Sequence, residues 1–470
     1  MRYASLQRLR GSLCTLIMSC MVLCWHPIRL QSDSSQDRRL PNVLFIMADD
    51  LGWGDLGSYG QQRIMTPNLD RLASEGMRFT QVYAGSTVCA PSRSVLMTGL
   101  HTGHTRIRGN ARVPLLPEDR IVAEYFKSAG YRTGIIGKWG LGEPGTTGIP
   151  TSKGFDYFFG YLNQRHAHNY YPSYLWKNEQ QISLPNVVIN EDASGGGVSS
   201  NKIAYSHDLI MEEAARFIDQ HAAHPFFLYL PLTLPHANNE AKQQGMEVPS
   251  LEPYDLMDWP TAQKGHAAMI GRMDRDIGSL VDQLKSLDLE KHTLIFFTSD
   301  NGPHREGGND PDFNDSNGPL RGIKRSMHDG GIRVPMIARW TDRIAAGVVD
   351  DTVWTFADFL PTMLDLIGKS IPLGLDGVSI LPTLMGQHQD LSQRMHYWEF
   401  HERGFKQAVR WGNWKGVRHA LDQPLQLFHL IGDAGESYDL AGQYPAVVKK
   451  LTDFLDHERT ESTHWPVQRP

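Results

Sequence analysis

The chain has 470 residues, 40% hydrophobic and 21% charged, with 44 Gly and 27 Pro, ordinary globular figures that exclude a disordered or fibrous chain. Its 46 Lys and Arg against 52 Asp and Glu leave a formal charge of −6, without the broad basic footprint of a nucleic-acid binder. At about 150 residues per domain the chain has room for two or three domains, or for one large α/β domain with an appendage, and any anionic ligand must be met by a local cluster of cations.

Residues 1–25 read as an export signal: Arg2, Arg8 and Arg10 precede an apolar stretch, Gly11 to Trp25, too short for a comfortable membrane span. No small-x-small cleavage site marks the cut. Ile17-Met18-Ser19-Cys20 loosely resembles a lipoprotein box that would leave a lipid anchor on Cys20, and an uncleaved anchor helix is a third alternative. Cleavage leaves a periplasmic or secreted protein with no stable membrane span. Residues 26–40 form a flexible tether, polar from Gln31 to Arg39. Cys14, Cys20 and Cys24 all lie in the leader, so the exported body keeps Cys89 alone and has no disulfide framework.

The first strong strand is Asn42 to Met47 (NVLFIM), a continuous apolar run that ends in Ala48-Asp49-Asp50. A helix follows, with Thr66 as N-cap, Pro67 at its first position and Gly76 as its stop. Ile121 to Ala129 predicts a helix and Tyr131 to Ile136 a strand; Ser206 to Gln220 predicts a helix leading into the strand Phe226 to Leu230. From Met269 to Leu287 one helical face carries Met273, Ile277, Leu280, Val281 and Leu284, and the strand Thr293 to Thr298 then runs into Ser299-Asp300-Asn301. This alternation predicts an α/β domain over 41–390, a large mostly parallel sheet sandwiched by helices. Residues 391–470 predict a smaller antiparallel α+β subdomain: a hairpin turning at Gly412-Asn413, a strand from Leu425 to Leu430 and a closing helix from Ala446 to Glu458.

The chemistry concentrates at Cys89-Ala90-Pro91-Ser92-Arg93. Pro91 suits the first turn of a helix running through Val95 to Thr98, which puts Cys89 at the helix's positive end, with Arg93 on the same face. Asp49, Asp50, Asp300 and Asn301 stand at the carboxyl ends of two predicted parallel strands, where open α/β sheets hold their sites. Four oxygen side chains, three of them carboxylates, suit a hard divalent cation, most naturally Ca2+.

Cys-x-Pro-Ser-Arg, followed by Thr98-Gly99 and a stretch of His, Thr and Gly, resembles the signature of the formylglycine-dependent (type I) sulfatases of the alkaline-phosphatase-like superfamily, in motif style closest to exported bacterial polysaccharide sulfatases. The resemblance runs from about Pro41 to the C-terminal helix. It implies that a maturation enzyme oxidises Cys89 to formylglycine, whose hydrated aldehyde is the nucleophile. It further implies one Ca2+ held by Asp49, Asp50, Asp300 and Asn301 together with the group at Cys89. Lys138, in Gly137-Lys138-Trp139-Gly140, matches a sulfate-binding lysine, and Lys324, ahead of Asp329-Gly330-Gly331-Ile332-Arg333, matches a second. His236, after Leu234-Pro235, matches a histidine that contacts the sulfate and the leaving oxygen. Arg93 would join these cations around the sulfuryl oxygens, Asp300 would act as base, and His236 or Lys324 would protonate the leaving alcohol.

One position departs from the pattern. The family places a histidine two residues after the first lysine, and this chain has Gly140; His166 and His168 are candidate substitutes, with His168 the one expected near the pocket. The implied reaction is hydrolysis of sulfate monoesters, on a sulfated carbohydrate or an aryl sulfate, with release of inorganic sulfate. His104, Arg106, Arg108 and Asn110, and Trp398, Glu399 and His401, are candidates for sugar contacts or for internal structure. The competing readings are a formylglycine-dependent phosphonate or phosphodiester hydrolase and a Ca2+-dependent glycan-binding protein without turnover.

Overall fold

The structure, a computed structural model, describes residues 40–467, so the leader, its lipoprotein box at Cys20 and nearly all of the tether lie outside the described residues. Strand β1 (Asn42–Ala48) is buried throughout. Val43, Phe45 and Met47 enter one core and Leu44, Ile46 and Ala48 the other, so a run that is apolar on both faces lies where helices cover the sheet on both sides.

The strands that follow are β2 (Met77–Tyr83), β3 (Arg132–Lys138), β4 (Tyr157–Tyr161), β5 (Tyr174–Lys177), β6 (Gln180–Ser183), a separate ribbon of β7 (Val187–Ile189) and β8 (Val198–Asn201), β9 (Phe226–Pro231) and β10 (Thr293–Ser299). After them come β11 (Arg333–Arg339), β12 (Val348–Asp350) and β13 (Trp354–Thr355). The large sheet has the order β12-β2-β11-β10-β1-β9-β3-β4-β5-β6, with β13 beside β2. Its middle, β10-β1-β9-β3-β4, is wholly parallel. Antiparallel pairs flank it, β10 with β11 and β11 with β2 on one side, β4 with β5 and β5 with β6 on the other.

Helices α1 (Pro67–Ser74), α4 (Ser206–His221) and α5 (Thr261–Ser286) fill one face; α2 (Cys89–Thr98), α3 (Val122–Ser128) and the helix Phe359–Leu366 fill the other. Two boundaries differ from expectation. The Thr66 side chain accepts no backbone N–H of α1 as a cap would; its hydroxyl donates to the Asp70 carboxylate and accepts from the Gly57 N–H. Helix α5 begins eight residues before Met269, because its first turns bury Gln263 and His266 alongside Ala267 and Ala268, which hides the apolar period.

The C-terminal sheet is antiparallel, β14 (Met395–Phe400), β15 (Lys406–Trp411), β16 (Trp414–Arg418) and β17 (Gln426–His429) in that order. Trp411 faces Trp414 across a two-residue turn, and Gly412 supplies the positive φ of 53° that tight hairpins require. Trp398, Phe400, Ala408, Val417 and Phe428 pack one face of this sheet onto Tyr83, Val88, Met327 and Ile332, close to the Cys89 helix. Leu451 and Leu455 of the closing helix Pro445–His457 cover Val409 and Leu427 on the other face.

Gly137 sits at φ 132° one residue before the end of β3, where an added Cβ would lie 2.0 Å from the Pro231 carbonyl oxygen of β9. Gly130 also has a positive φ, 88°, but has open space around it. Denaturant unfolding is expected to show Gly137→Ala losing about 3 kcal/mol or more, from combined strain and overpacking. Gly130→Ala should lose only about 1 kcal/mol, from backbone strain alone.

Candidate active site

Four adjacent parallel strands, β10, β1, β9 and β3, end along one edge, and the loops leaving them carry the polar residues. The register pairs Ala48 with Ser299 and Met47 with Pro231, so Asp49 and Asp50 leave β1 beside Asp300 and Asn301 leaving β10. Lys138 is the last residue of β3, and His236 follows β9. Cys89 opens α2 with Val88 in extended backbone as N-cap; the Ala90 N–H, left over at the helix start, donates to Asn110 Oδ1 at 3.0 Å. Lys324 comes from the long loop between β10 and β11. Its N–H bonds the Pro303 carbonyl and the next N–H, of Arg325, bonds Thr87, which ties that loop to the segment just before Cys89.

The sequence-predicted residues converge. Cys89 Sγ lies 3.4 Å from Asp49 Oδ1, and Lys138 Nζ lies 2.6 Å from Asp49 Oδ2. Arg93 grips Asp300 Oδ2 through Nε and Nη2, at 3.1 and 2.8 Å, and donates from Nη1 to the Lys138 carbonyl at 2.6 Å. Lys324 Nζ contacts Asp50 Oδ2 at 2.7 Å, His236 Nε2 at 3.0 Å and Glu306 Oε2 at 3.2 Å. Asn301 Nδ2 donates to Asp50 Oδ1 at 2.6 Å, and the Asp50 N–H donates to Asp300 Oδ1 at 3.1 Å. All of these side chains except Glu306 are essentially buried.

The electrostatics follow from that burial. Desolvation, with the Asp49 charge added to it, pushes the Cys89 thiol well above its ordinary pKa, so the group is a neutral S–H beside a carboxylate. Burial opposes the charge of Lys324, but Asp50 and the groups behind it outweigh that and raise its pKa. Burial and then Lys324 push His236 well down. Its tautomer follows from geometry: Nδ1 is 2.7 Å from the Ala237 carbonyl and must donate, leaving Nε2 to accept from Lys324. Burial raises Asp300, with Asp49 the next cause, and both of its oxygens already accept hydrogen bonds.

His168 reaches the site by stacking on His236, ring centroids 4.8 Å apart and planes 12° apart, while its Nδ1 bonds Glu240 Oε2 at 3.2 Å. His166 does not reach it. It is buried between Tyr161 and Tyr174, and desolvation lowers its pKa to about 4. The space beside Gly140 belongs to Gln164, a residue the motif reading passed over: a Cβ on Gly140 would lie 2.0 Å from Gln164 Nε2, and both amide atoms of Gln164 are buried without a partner. Gln164, Gly140 and Asn110 line a common cleft of about 190 Å³. Glu306 was also missed, although His304-Arg305-Glu306 directly follows the Asp300 motif; burial opposes its ionisation, but Lys324 and Arg325 hold it well below the usual carboxylate range.

The outlying sugar-contact candidates make internal contacts. Arg108 is buried against Glu399 and the Thr460 carbonyl, and Glu399 also receives Tyr397, His401 and Arg459. Trp398 donates to the Ala84 carbonyl, Arg106 to the Pro114 carbonyl, and His104 pairs with Asp376 at 2.9 Å. Asn110 spends its carbonyl oxygen on Ala90.

The oxygen donors Asp49, Asp50, Asp300 and Asn301 suit a hard cation: Asp300 and Asn301 both contact Asp50, ligand atoms of Asp49 and Asp50 lie within 4.8 Å of each other and of those of Cys89 and His236, and Asn301 Oδ1 is buried with no hydrogen-bond partner. Three carboxylates balance three cations, so a divalent ion would leave the site net positive. A parallel sheet with acids at its carboxyl edge and cations around a buried nucleophile position suits hydrolysis of anionic esters.

The sulfatase family matches residues 41–369, and the family described as N-sulphoglucosamine sulphohydrolase, C-terminal, matches 323–461. Mouse N-acetylgalactosamine-6-sulfatase is 32% identical over 89% of this chain and 86% of its own. The N-acetylgalactosamine-6-O-sulfatase of Bacteroides thetaiotaomicron is 29% identical over 92% of this chain and 96% of its own. Among solved structures, Ps i-CgsB in complex with k-i-k-neocarrahexaose is similar with a TM-score of 0.76 at 26% identity, over 92% of this chain and 95% of that one. The chain belongs to the sulfatase family, with the alkaline-phosphatase-like fold, and is a sulfuric ester hydrolase.

The hydrogen bond to Asp376 raises the His104 pKa above its ordinary value. A raised folded-state pKa gives stability that is full below the unfolded value and is lost as pH rises through the folded one. His104→Asn is therefore expected to lower the melting temperature clearly at about pH 5.5 and much less at about pH 9, read by thermal unfolding in matched buffers.

Proposed function

We propose that the chain hydrolyses sulfate monoesters of carbohydrates, using formylglycine made from Cys89 by a maturation enzyme and one Ca2+. The observation that carries the reading is the buried Cys89 thiol, 3.4 Å from Asp49 and ringed by Arg93, Lys138 and Lys324. Kept neutral by its surroundings, that thiol is a poor nucleophile as it stands; the hydrated aldehyde would supply a hydroxyl in its place. Asp49, Asp50, Asp300 and Asn301 would hold the Ca2+, which supplies Lewis-acid activation of an oxygen nucleophile and neutralises charge on the ester.

The remaining work falls to the chain's own side chains. Arg93 is fixed by Asp300 and the Lys138 carbonyl, so its charge stays in place as negative charge builds on the sulfuryl oxygens. Lys138 adds a second fixed charge from the end of β3. Asp49, the carboxylate in contact with position 89, is placed to take a proton from a hydroxyl there, a role the sequence reading gave to Asp300. Lys324 carries the proton for the departing alcohol oxygen, since His236 Nε2 is an acceptor in this arrangement; His236 orients the ammonium. His168, stacked on His236, keeps that ring in plane, and Gln164 fills the place of the missing histidine with an amide that can hydrogen-bond but cannot take up a proton.

A carbohydrate substrate is supported by the relatives, whose names specify N-acetylgalactosamine sulfate and whose structural neighbour holds a neocarrahexaose. The likeness to a phosphonate monoester hydrolase, 21% identical with a TM-score of 0.62, is one of fold. No helix among the described residues is long and apolar enough to cross a membrane, and an exported enzyme fits the charged, apolar leader read at 1–25.

Three measurements test the reading. The peptide carrying Cys89, isolated from the native host, should have the mass of the aldehyde, and recovery of thiol alone from mature protein would favour a binding protein. Chelation should abolish sulfate release, and Ca2+ should restore it. Lys324→Met should cut turnover of a sugar sulfate by about 10²–10⁴-fold, the range for a lost general acid. It should cut turnover of p-nitrophenyl sulfate, whose leaving group needs no proton, far less; equal losses on both substrates would remove Lys324 from the proton-donor role.

A further inference from the structure

Around the buried ring of charges, three arginines lie against carboxylates. Arg325 Nη1 holds Glu306 Oε1 at 2.7 Å and its Nε lies 3.4 Å from Glu402. Arg165 is paired with Asp192 and lies 3.5 Å from Glu240, which also accepts from His168. In the cleft beside Gly140 and Gln164, Arg112 lies 3.7 Å from Glu143. An arginine committed to a carboxylate has little attraction left for an anionic substituent, and these carboxylates outnumber the arginines.

Glu306 is the innermost of these acids. It reaches the proton-carrying group directly, 3.2 Å from Lys324 Nζ and 3.9 Å from His236 Nε2, yet its side chain remains 21% exposed. A carboxylate has about four lone-pair sites, and Lys324 and Arg325 occupy two, so acceptor capacity remains on the exposed side. With Lys324 as the proton donor, that capacity would lie beside the leaving-group oxygen, where the carbon next to the sulfated one would carry its own substituent.

We propose that the sugar ring bearing the scissile sulfate is uncharged and donates a hydroxyl to Glu306, and that rings carrying a carboxylate or a second sulfate are turned away by that same residue. This rests on the carbohydrate sulfatase reading and deepens it. A hydroxyl satisfies the carboxylate, whereas an anion there meets a like charge at short range.

The test is calorimetric binding to full-length Cys89→Ala protein, which holds substrate without turning it over. The ligands are monosulfated N-acetylgalactosamine, galactose and N-acetylglucosamine, the disulfated forms of the same sugars, and a monosulfated uronic acid. At least one neutral monosulfated ring should bind tighter than its doubly charged counterpart by about tenfold or more, as like-charge juxtaposition requires. Adding Glu306→Gln, which keeps the shape and removes the charge, should shrink that ratio to about threefold or less by improving the doubly charged ligand. A merely structural Glu306, needed only to hold Lys324, would weaken all ligands alike and leave the ratio unchanged, and that result overturns the proposal. Equal or tighter binding of the doubly charged rings overturns it as well. Failure of matured wild-type protein to release sulfate from p-nitrophenyl sulfate would instead strike the underlying reading, whatever the binding ratios.

Discussion

Three carboxylates and three cations are buried together at the edge of a parallel sheet, and the rest of the site depends on their being paired. A charge buried alone is so costly that removing one partner of a buried pair destabilises a protein by about 3–5 kcal/mol. Each member here has a partner on another element: Asp49 of β1's exit loop with Lys138 of β3, Asp300 of β10's exit loop with Arg93 of α2, Asp50 with Lys324 from the far loop. The pairs therefore bind the loops to one another. Such pairing confers little net stability against an apolar core of the same volume, so its value lies in geometry, holding six charged groups where water cannot screen them.

The same arrangement accounts for the state of each reactive group. Arg93 and the lysines stay charged because each has a carboxylate in contact, and Cys89 stays protonated because it is buried and, secondarily, because Asp49 beside it is negative. His236 is neutral and turned so that its free nitrogen accepts from Lys324, which leaves the lysine as the holder of the proton. With the proposed Ca2+ the site would be net positive and suited to an anionic ester, and Asn301 offers it a buried oxygen that has no hydrogen-bond partner.

Much of this was legible in the chain itself because it is local. The apolar runs NVLFIM and TLIFFT can only be strands buried on both faces, and acids placed directly after them must emerge at the carboxyl edge. Cys89, Pro91 and Arg93 lie in one helical turn, so their relative positions follow from backbone geometry alone. The edges of the sheet were less legible, since β5, β6 and β12 are only three or four residues long, too short to show a period, and β6 is exposed throughout. The start of α5 was obscured for the opposite reason: its inward positions hold polar side chains that find partners only in the folded protein, such as Gln263 with Asn314.

Residue order alone settled the fold class, the strand tips that bear acids and the turn that bears Cys89, since each depends on neighbours in the chain. Tertiary structure decided which histidine meets His236, that Gln164 rather than a histidine stands over Gly140, that Glu399 and Arg108 serve the C-terminal junction, and that Glu306 lies beside Lys324. Those are choices among chemically similar residues, and they are made by distances between segments far apart in the chain, which composition and spacing do not encode.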